Sequence, residues 1–368
     1  MDLGIFMMPL HRADKPWKQA LEEDRELVLL CEELAFSEVW IGEHFTTRAE
    51  GIPSAMMFLA TVIAQTRRIR FGTGVVNLPH HHPAMVAAEA AMFDQLSDGR
   101  LMLGIGPGGL VSDAEMFGHE DVPERVAMTL EAVDMMLQLW QQHAPLKIEG
   151  RYYNATLENN IWPAHGIGTL CHPLQQPHPP LAMAMVSPGG RTAEIIAERD
   201  FIPISSNFVP LEHVEAQWQC YSETRQRLGK PVDRDLWRVG RNILVTDSDA
   251  RAADIVDDPD SVFAHYFRYL RGTRRIQELW DLRDAGPQVL NPILEVDKAI
   301  EDCVIAGSVE TVTARLIEVV ERLGPFGTLL CIGHDNDAAT PELWPDSMRR
   351  LAREVMPRVR QHAASLAA

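Results

Sequence analysis

Eight short apolar runs alternate with helical patterns along the 368 residues. Each run is followed by a segment whose apolar residues recur at helical spacing. Continuous apolar strands are typical of a parallel sheet that is buried on both faces. Because no linker interrupts the alternation, the sequence predicts an α/β fold in which one (β/α)8 TIM barrel occupies residues 1–368. The predicted strands begin near Asp2, Glu38, Ile69, Leu101, Leu181, Phe201, Arg238 and Thr328.

Two insertions interrupt this alternation. The first, about 145–180, follows the fourth predicted strand and is rich in Pro, Gly and aromatic residues. The second, about 247–300, follows the seventh predicted strand and is mostly helical. A long insertion after a barrel strand lies at the C-terminal face, where barrel enzymes hold their active sites. We therefore expect a mobile lid in about 271–295, with Gly272 and Gly286–Pro287 as hinge points. The alternative is a rigid dimerisation or packing element.

Composition excludes several classes of partner. The formal charge of −18 argues against nucleic acid and against an anionic membrane surface, since both need clustered Lys and Arg. No apolar run approaches the roughly 20 residues of a membrane span, and the N-terminal residues lack the features of a signal peptide. Five scattered cysteines without a CxxC pair suit a reducing compartment. We therefore expect a cytoplasmic enzyme.

The segment "GEHF" places Glu43 and His44 at the end of the second predicted strand. Burying such a pair inside a barrel is costly unless it faces the open mouth. A histidine in that position can act as a general acid or base near neutral pH. The alternative is a structural His–Glu pair at the rim of the barrel.

Two further segments resemble binding motifs. In "NLPHHHPAM", the consecutive residues His80, His81 and His82 do not have the spacing of metal ligands, because neighbouring side chains of an extended segment point in opposite directions. We therefore predict no metal. The glycines of "GIGPGG" match a dinucleotide fingerprint, but three βα units precede them and "LVSDAEMFG" is a poor helix start. We interpret them as a bare backbone turn that a flat or anionic ligand can approach.

An anion site is predicted after the fifth strand. In "VSPGGRTAEIIAE", Ser187, Gly189, Gly190 and Arg191 come at the start of a predicted helix. Free backbone N–H groups, a hydroxyl and a guanidinium together favour a phosphate. An ordinary helix cap is the alternative.

These segments together resemble a known family. The stretch "GTGVVNLPHHHPAMVAAEAAMFDQLSDGRLMLGIGPGG" is similar to the signature of the bacterial luciferase-like flavin-dependent monooxygenases. The likeness extends to "GEH", to "HPLQQPHPPLAMA" and to "AGSVETVTARL", and so covers nearly the whole chain. In total pattern and length, the chain looks closer to the limonene and diketocamphane monooxygenase-like members than to luciferase itself.

The resemblance implies a two-component flavin-dependent monooxygenase. Such an enzyme uses reduced FMN (FMNH₂) and O₂, through a C4a-(hydro)peroxyflavin, to oxygenate a small apolar carbonyl or terpene-like substrate. A separate NAD(P)H:flavin reductase supplies the FMNH₂, and we expect a homodimer. His44 would handle the oxygen intermediate beside Glu43, and the Gly74–Val75 bond would be cis. The implied flavin-binding residues are Gly74, Val75, Asn77, His82, Gly106, Ser187, Gly189, Gly190 and Arg191.

Two other functions remain open on the same barrel. One is an F420-dependent dehydrogenase, which would transfer hydride instead of oxygen. The other is a non-catalytic flavin-binding barrel, although the retention of Glu43 and His44 favours an enzyme.

Overall fold

The computed structural model describes residues 1–8, 10–284, 296–335 and 340–366, with side chains described up to Thr273 in the helix that ends at Asp284. Within these residues there are twelve strands. They are β1 (Asp2–Met7), β2 (Glu38–Ile41), β3 (Arg70–Thr73), β4 (Val76–Asn77), β5 (Leu101–Gly106), β6 (Leu146–Glu149), β7 (Asn154–Leu157), β8 (Leu181–Met185), β9 (Ile202–Ser205), β10 (Arg238–Val245), β11 (Val304–Gly307) and β12 (Thr328–Gly333).

The predicted barrel is confirmed. Its parallel strands follow one another around the barrel in the order β1-β2-β3-β5-β8-β9-β10-β12, and β12 returns to pair with β1. Asp2 is paired with Thr328 at one end of this last ladder and Met7 with Gly333 at the other. The predicted strand starts agree with the structure to within one residue. The strand interiors are buried, which explains their continuous apolar sequence.

Helices cover the outside of the barrel and its C-terminal end. They are α1 (Trp17–Glu33), α2 (Ala55–Ala60), α3 (Pro83–Leu96), α4 (Val111–Phe117), α5 (Val122–Gln141), α6 (Arg191–Glu198), α7 (Leu211–Arg227), α8 (Asp249–Val256), α9 (Val262–Asp284), α10 (Val296–Cys303), α11 (Val309–Leu323), α12 (Leu343–Arg350) and α13 (Met356–Leu366). Among the described residues, no helix combines the length and the apolar character that crossing a membrane requires.

Large side chains close the barrel at the N-terminal ends of its strands. The fully buried Trp40 fills the interior, and its indole Nε1 donates to Glu38 Oε1 at 2.9 Å. Arg238 Nη2 donates to Glu38 Oε2 at 3.1 Å, so the two buried charges neutralise each other. A Cβ at Gly72 would lie 2.2 Å from the Trp40 ring, which explains a glycine in this strand. The barrel is therefore filled below its C-terminal mouth.

The two insertions have different structures. The segment 145–180 contains the antiparallel hairpin of β6 and β7, whereas 247–300 contains α8, α9 and α10. After α10, β11 adds a parallel strand beside β10, which the sequence analysis did not predict. Gly272 lies within the continuous helix α9. Of the predicted lid, about 271–295, the residues up to Asp284 belong to α9, whereas residues 285–295 lie outside the described residues, together with the second hinge point, Gly286–Pro287.

A buried ionic network joins the segment after β1 to α1 and to the segment after β12. His11 Nδ1 donates to Asp335 Oδ1 at 2.6 Å, and its Nε2 donates to Asp24 Oδ2 at 3.1 Å. His11, Glu23 and Asp335 lie close enough together to ligate a metal ion. The Lys15 ammonium, however, already pairs with both Glu23 and Asp335. We therefore interpret this cluster as structural.

Candidate active site

A pocket of about 380 Å³ opens at the C-terminal ends of the barrel strands. This is the position that barrel enzymes use for catalysis, and the volume falls within the range of small-molecule sites. The lining is mainly apolar, with polar groups from the segments that follow β2, β8 and β9. The lining includes Phe6, Met8, Glu43, His44, Glu50, Gly74, Val75, Asn77, Gly106, Met183, Ser187, Thr192, Ser205, Ser206, Asn207 and Phe208.

Two carboxylates flank His44 at the edge of this pocket. His44 Nδ1 donates to Asp113 Oδ2 at 3.0 Å, and its Nε2 lies 3.5 Å from Glu50 Oε2. Burial by itself lowers the pKa of His44, but Glu50, Asp113 and Glu43 together raise that pKa above its ordinary value. The arrangement thus favours a protonated imidazolium near neutral pH.

Asp113 organises the turn that carries His44. Its Oδ1 accepts hydrogen bonds from the backbone N–H groups of Phe45 (3.1 Å) and Thr46 (2.8 Å). Burial would raise the pKa of Asp113, but its hydrogen bonds from His44 and Thr46 lower that pKa overall. The segment "LVSDAEMFG" looks like a poor helix start, yet α4 begins at Val111 and carries Asp113 in its first turn. The sequence analysis missed Asp113 for that reason.

The three consecutive histidines have three different roles. His81 Nε2 donates to Glu43 Oε1 at 3.0 Å, the oxygen that also accepts from the Asn77 backbone N–H. His80 packs against Phe117 with 4.7 Å between ring centroids, and burial lowers its pKa to about 4. His82 is exposed and caps α3 by accepting from the Ala84 N–H. The structure thus brings Glu43 and Asn77 to the pocket and leaves His82 outside its lining.

Bare backbone forms one wall of the pocket. The Gly74–Val75 peptide bond is cis, which confirms the prediction made from the family resemblance. A Cβ on Gly106 would lie 2.8 Å from Val75 Cγ2, so that a larger residue would disturb this wall. A wall built from Gly74, Val75 and Gly106 lets a flat ring approach the main chain closely. These residues therefore fit the isoalloxazine ring of a flavin.

The predicted anion site is only partly brought to the pocket. Ser187 and Thr192 line it, and the buried Gln217 donates from Nε2 to the backbone oxygen of Ser187 at 3.0 Å. The Arg191 side chain is 62% exposed and pairs with Glu194 and Glu198 instead. Gly189 and Gly190 stand beside the site without lining it. Two hydroxyls at the start of α6 fit a phosphate group, whereas Arg191 is not positioned to contact one.

Several polar groups of the pocket were not predicted from the sequence. Asn207 Nδ2 donates to Asn242 Oδ1 at 3.0 Å and to the Tyr266 hydroxyl at 2.8 Å. Ser205 Oγ accepts from Trp237 Nε1 at 2.9 Å. The signal for these residues is their position directly after a buried strand, in "ISSNF", which is the same signal that pointed to Glu43 and His44.

Comparisons with known proteins agree with this fold. The family model described as luciferase-like monooxygenase matches residues 1–325. The 4-hydroxyprotoasukamycin monooxygenase of Streptomyces nodosus subsp. asukaensis is 29% identical, over 97% of this chain and 92% of its own length. The limonene 1,2-monooxygenase of Rhodococcus erythropolis is also 29% identical, over 97% of this chain and 86% of its own length.

A solved structure extends the likeness to three dimensions. It is the oxygenating constituent of 3,6-diketocamphane monooxygenase from Pseudomonas putida, a type II Baeyer–Villiger monooxygenase in complex with FMN. It superposes with a TM-score of 0.83 at 25% identity, covering 97% of this chain and 98% of the other. The barrel and its C-terminal pocket thus define a flavoprotein of the monooxygenase class. The chain belongs to the luciferase-like monooxygenase family.

Proposed function

We propose that the chain is the oxygenase of a two-component system that uses reduced FMN and O₂. The reaction places one oxygen atom into a small apolar carbonyl or terpene-like substrate, and the other oxygen leaves as water. The observation that carries this proposal is a pocket with a bare-backbone wall at Gly74, Val75 and Gly106 and a carboxylate-flanked His44 at its edge. Insertion beside a carbonyl, hydroxylation and epoxidation are all compatible with this pocket.

FMN would be held at both of its ends. The backbone of Gly74, Val75 and Gly106 would receive the ring, and Ser187 and Thr192 at the start of α6 would bind the phosphate. When bound, the reduced cofactor supplies the two electrons that activate O₂. The FMN complex of the similar diketocamphane enzyme supports this choice of cofactor.

His44 would supply a proton during the reaction. Asp113 holds Nδ1 and stabilises the imidazolium, so the proton available for transfer is the one on Nε2. Apolar side chains, among them Phe6, Met8 and Phe208, keep the pocket poor in water. Excluding water strengthens electrostatic interactions and limits the unproductive loss of reducing equivalents.

Two protein partners belong to this proposal. A separate NAD(P)H:flavin reductase would supply FMNH₂, as suggested by the similar chain that is described as an oxygenating constituent. A second copy of the chain would cover an apolar face of α2 and α3, forming a homodimer. Met57 on α2 is 74% exposed, and α3 exposes Met85, Met92 and Leu96 along one side. The five unpaired cysteines suit a reducing cytoplasm.

The test is an anaerobic titration with FMNH₂, followed by a pulse of ¹⁸O₂ in the presence of a cyclic ketone or a monocyclic terpene. Saturable binding and transfer of one labelled oxygen into the organic product support the proposal. Reduction of F420 by an alcohol, without oxygen uptake, would instead identify the dehydrogenase. Binding of FMNH₂ with no effect on the fate of oxygen would favour a non-catalytic barrel.

A further inference from the structure

One carboxylate oxygen at the pocket is shared by two side chains. Glu50, which is 2% exposed, follows β2 and lines the pocket. Its Oε2 accepts a hydrogen bond of 2.6 Å from the hydroxyl of Tyr269 on α9. The same oxygen lies 3.5 Å from His44 Nε2, at the outer limit of hydrogen bonding. Tyr269 and His44 therefore compete for Glu50, and Tyr269 makes the closer contact.

The surroundings of Tyr269 direct its single proton to Glu50. Its hydroxyl lies 3.1 Å from Thr47 Oγ1, but a carboxylate is the stronger acceptor. Burial, followed by the Glu50 charge, raises the pKa of Tyr269, so this hydroxyl stays protonated. Glu50 Oε2 is thus hydrogen-bonded to Tyr269 and stays at the longer distance of 3.5 Å from the imidazole Nε2. The second insertion contributes this contact through α9.

The charged groups around His44 come from separate elements. Asp113 approaches from α4, Glu43 from the end of β2 and Glu50 from the segment that follows it. Asp113 fixes Nδ1 by a hydrogen bond, whereas no comparably short contact holds Nε2 to Glu50. If Glu50 moved closer by a few tenths of an ångström, this long ion pair would become a short hydrogen bond from Nε2 to the carboxylate. The Nε2 proton would then be hydrogen-bonded to Glu50 and could not be donated to a ligand in the pocket.

We propose that Tyr269 is a positioning residue that holds Glu50 away from His44 and thereby leaves Nε2 available to a ligand in the pocket. Its kinetic consequence rests on the proposed function, whereas its effect on His44 in the ligand-free protein does not. The second insertion, which follows β10, thus contributes to the site through the hydrogen bond from Tyr269 to Glu50.

The first experiment measures the pKa of His44 in the full-length, ligand-free protein by NMR titration of labelled histidine rings. The His44 signal is assigned by its absence in His44→Gln. In Tyr269→Phe, Glu50 is released toward the imidazole, and the pKa of His44 rises by at least about 0.5 unit because the opposite charge is closer. Tyr266→Phe is the matched control, because this hydroxyl on the same helix contacts Asn207. It leaves the pKa of His44 unchanged.

A double-mutant cycle tests whether Tyr269 acts through Glu50. Glu50→Gln lowers the pKa of His44, and adding Tyr269→Phe to that variant produces no further shift. An unchanged pKa in Tyr269→Phe overturns the proposal. An equal shift with Gln at position 50 also overturns it, because the tyrosine would then act by another route.

The second experiment measures the reaction itself. Tyr269→Phe slows product formation by about tenfold, less than the roughly 10²–10⁴ lost with a general acid–base group itself, because His44 is still present, and it leaves FMNH₂ affinity unchanged. The limb of the pH profile that reports His44 moves to higher pH. A normal rate and pH profile, in an enzyme that does make product, overturn the proposal. The predicted pKa shift in a protein that makes no product supports the positioning role and contradicts the proposed function.

Discussion

At the scale of single residues, replacing His44 should slow the reaction while leaving flavin binding nearly unchanged. Its imidazole is held by Asp113 at the edge of the pocket and does not belong to the apolar core. We expect His44→Ala to slow product formation by about 10² to 10⁴, the usual contribution of a general acid–base group. FMNH₂ affinity should change by less than about threefold.

The measurement pairs single-turnover product yield with anaerobic flavin titration. His165→Ala is the control, because this histidine lies on an exposed turn far from the pocket lining. A His44→Ala enzyme with the wild-type rate and yield would show that His44 has only a structural role at the edge of the pocket.

Glu43 shows how a residue can be located correctly from the sequence while its contacts remain hidden. Its place at the end of β2 follows from the apolar run "EVWI". Its hydrogen bonds come from Asn77 and His81, more than thirty residues later in the chain. Such a pairing depends on the register between β2 and β3, which one sequence does not reveal. Its carboxylate is engaged in building the turn, so we expect its role in the reaction to be indirect.

At the scale of elements, the start of α6 determines how the phosphate would be bound. The sequence analysis assigned the counter-charge to Arg191, but its guanidinium is mostly exposed and paired with Glu194 and Glu198. Exposed pairs of this kind contribute little, so we expect Arg191→Ala to weaken FMNH₂ binding by less than about 1 kcal/mol. Ser187→Ala and Thr192→Val should each weaken it by about 1.5–3 kcal/mol, the range for hydrogen bonds at a charged group.

Anaerobic fluorescence titrations of the three variants compare these effects directly. A loss of more than about 2 kcal/mol in Arg191→Ala alone would mean that the side chain leaves its glutamate partners for the ligand. The original assignment to Arg191 would then be correct.

The barrel strands could be predicted closely because each is an unbroken apolar run followed by a helical pattern. The shorter elements could not. The strand β11, "VIAG", is only four residues long and follows a helix directly, so its sequence resembles the end of that helix. Helix α4 lacks a side-chain cap, because Leu110 stands at its N-cap position. Asp113 lies on α4, and Glu50 is bound by Tyr269 from α9, more than two hundred residues later in the chain, so neither contact could be read from the sequence and the predicted site was incomplete.

At the scale of the whole molecule, the His11 network connects the first and last strands of the barrel. Burial lowers the pKa of His11, but Asp24 and Asp335 raise it to about 9 in the folded protein. Its contribution to stability is therefore fully present below its ordinary pKa of 6.5 and is lost as the pH rises through about 9. The shift corresponds to on the order of 3 kcal/mol.

Urea unfolding at pH 6.5, 7.5, 8.5 and 9.5 measures this dependence. The free energy of unfolding of the wild-type protein should fall across the series, whereas His11→Asn should be less stable at pH 6.5 and show a flatter profile. Parallel profiles for the two proteins would assign the pH dependence to other groups.

The proposed dimer is tested at the same scale. A charge on the apolar face of α2 and α3 would have to be desolvated at an interface, so Met92→Glu combined with Leu96→Glu should give a monomer in sedimentation experiments. Leu228→Glu is the control, since this exposed leucine stands at the end of α7, away from that face. A wild-type monomer, or a dimer that survives both glutamates, would contradict the assignment.

The filled lower half of the barrel has a consequence for the order of events. Among the described residues, Trp40 and the Glu38–Arg238 pair fill the barrel below the pocket, so the pocket opens at the C-terminal ends of the strands. Every molecule of the proposed reaction would use this mouth, and a substrate that is already bound there would obstruct the entry of the larger flavin. Cofactor arrival should therefore precede substrate arrival, and the oxygenated product should depart before the spent flavin. Excess substrate added first should then slow flavin binding. The observed rate should therefore depend on the order in which substrate and flavin are mixed with the protein.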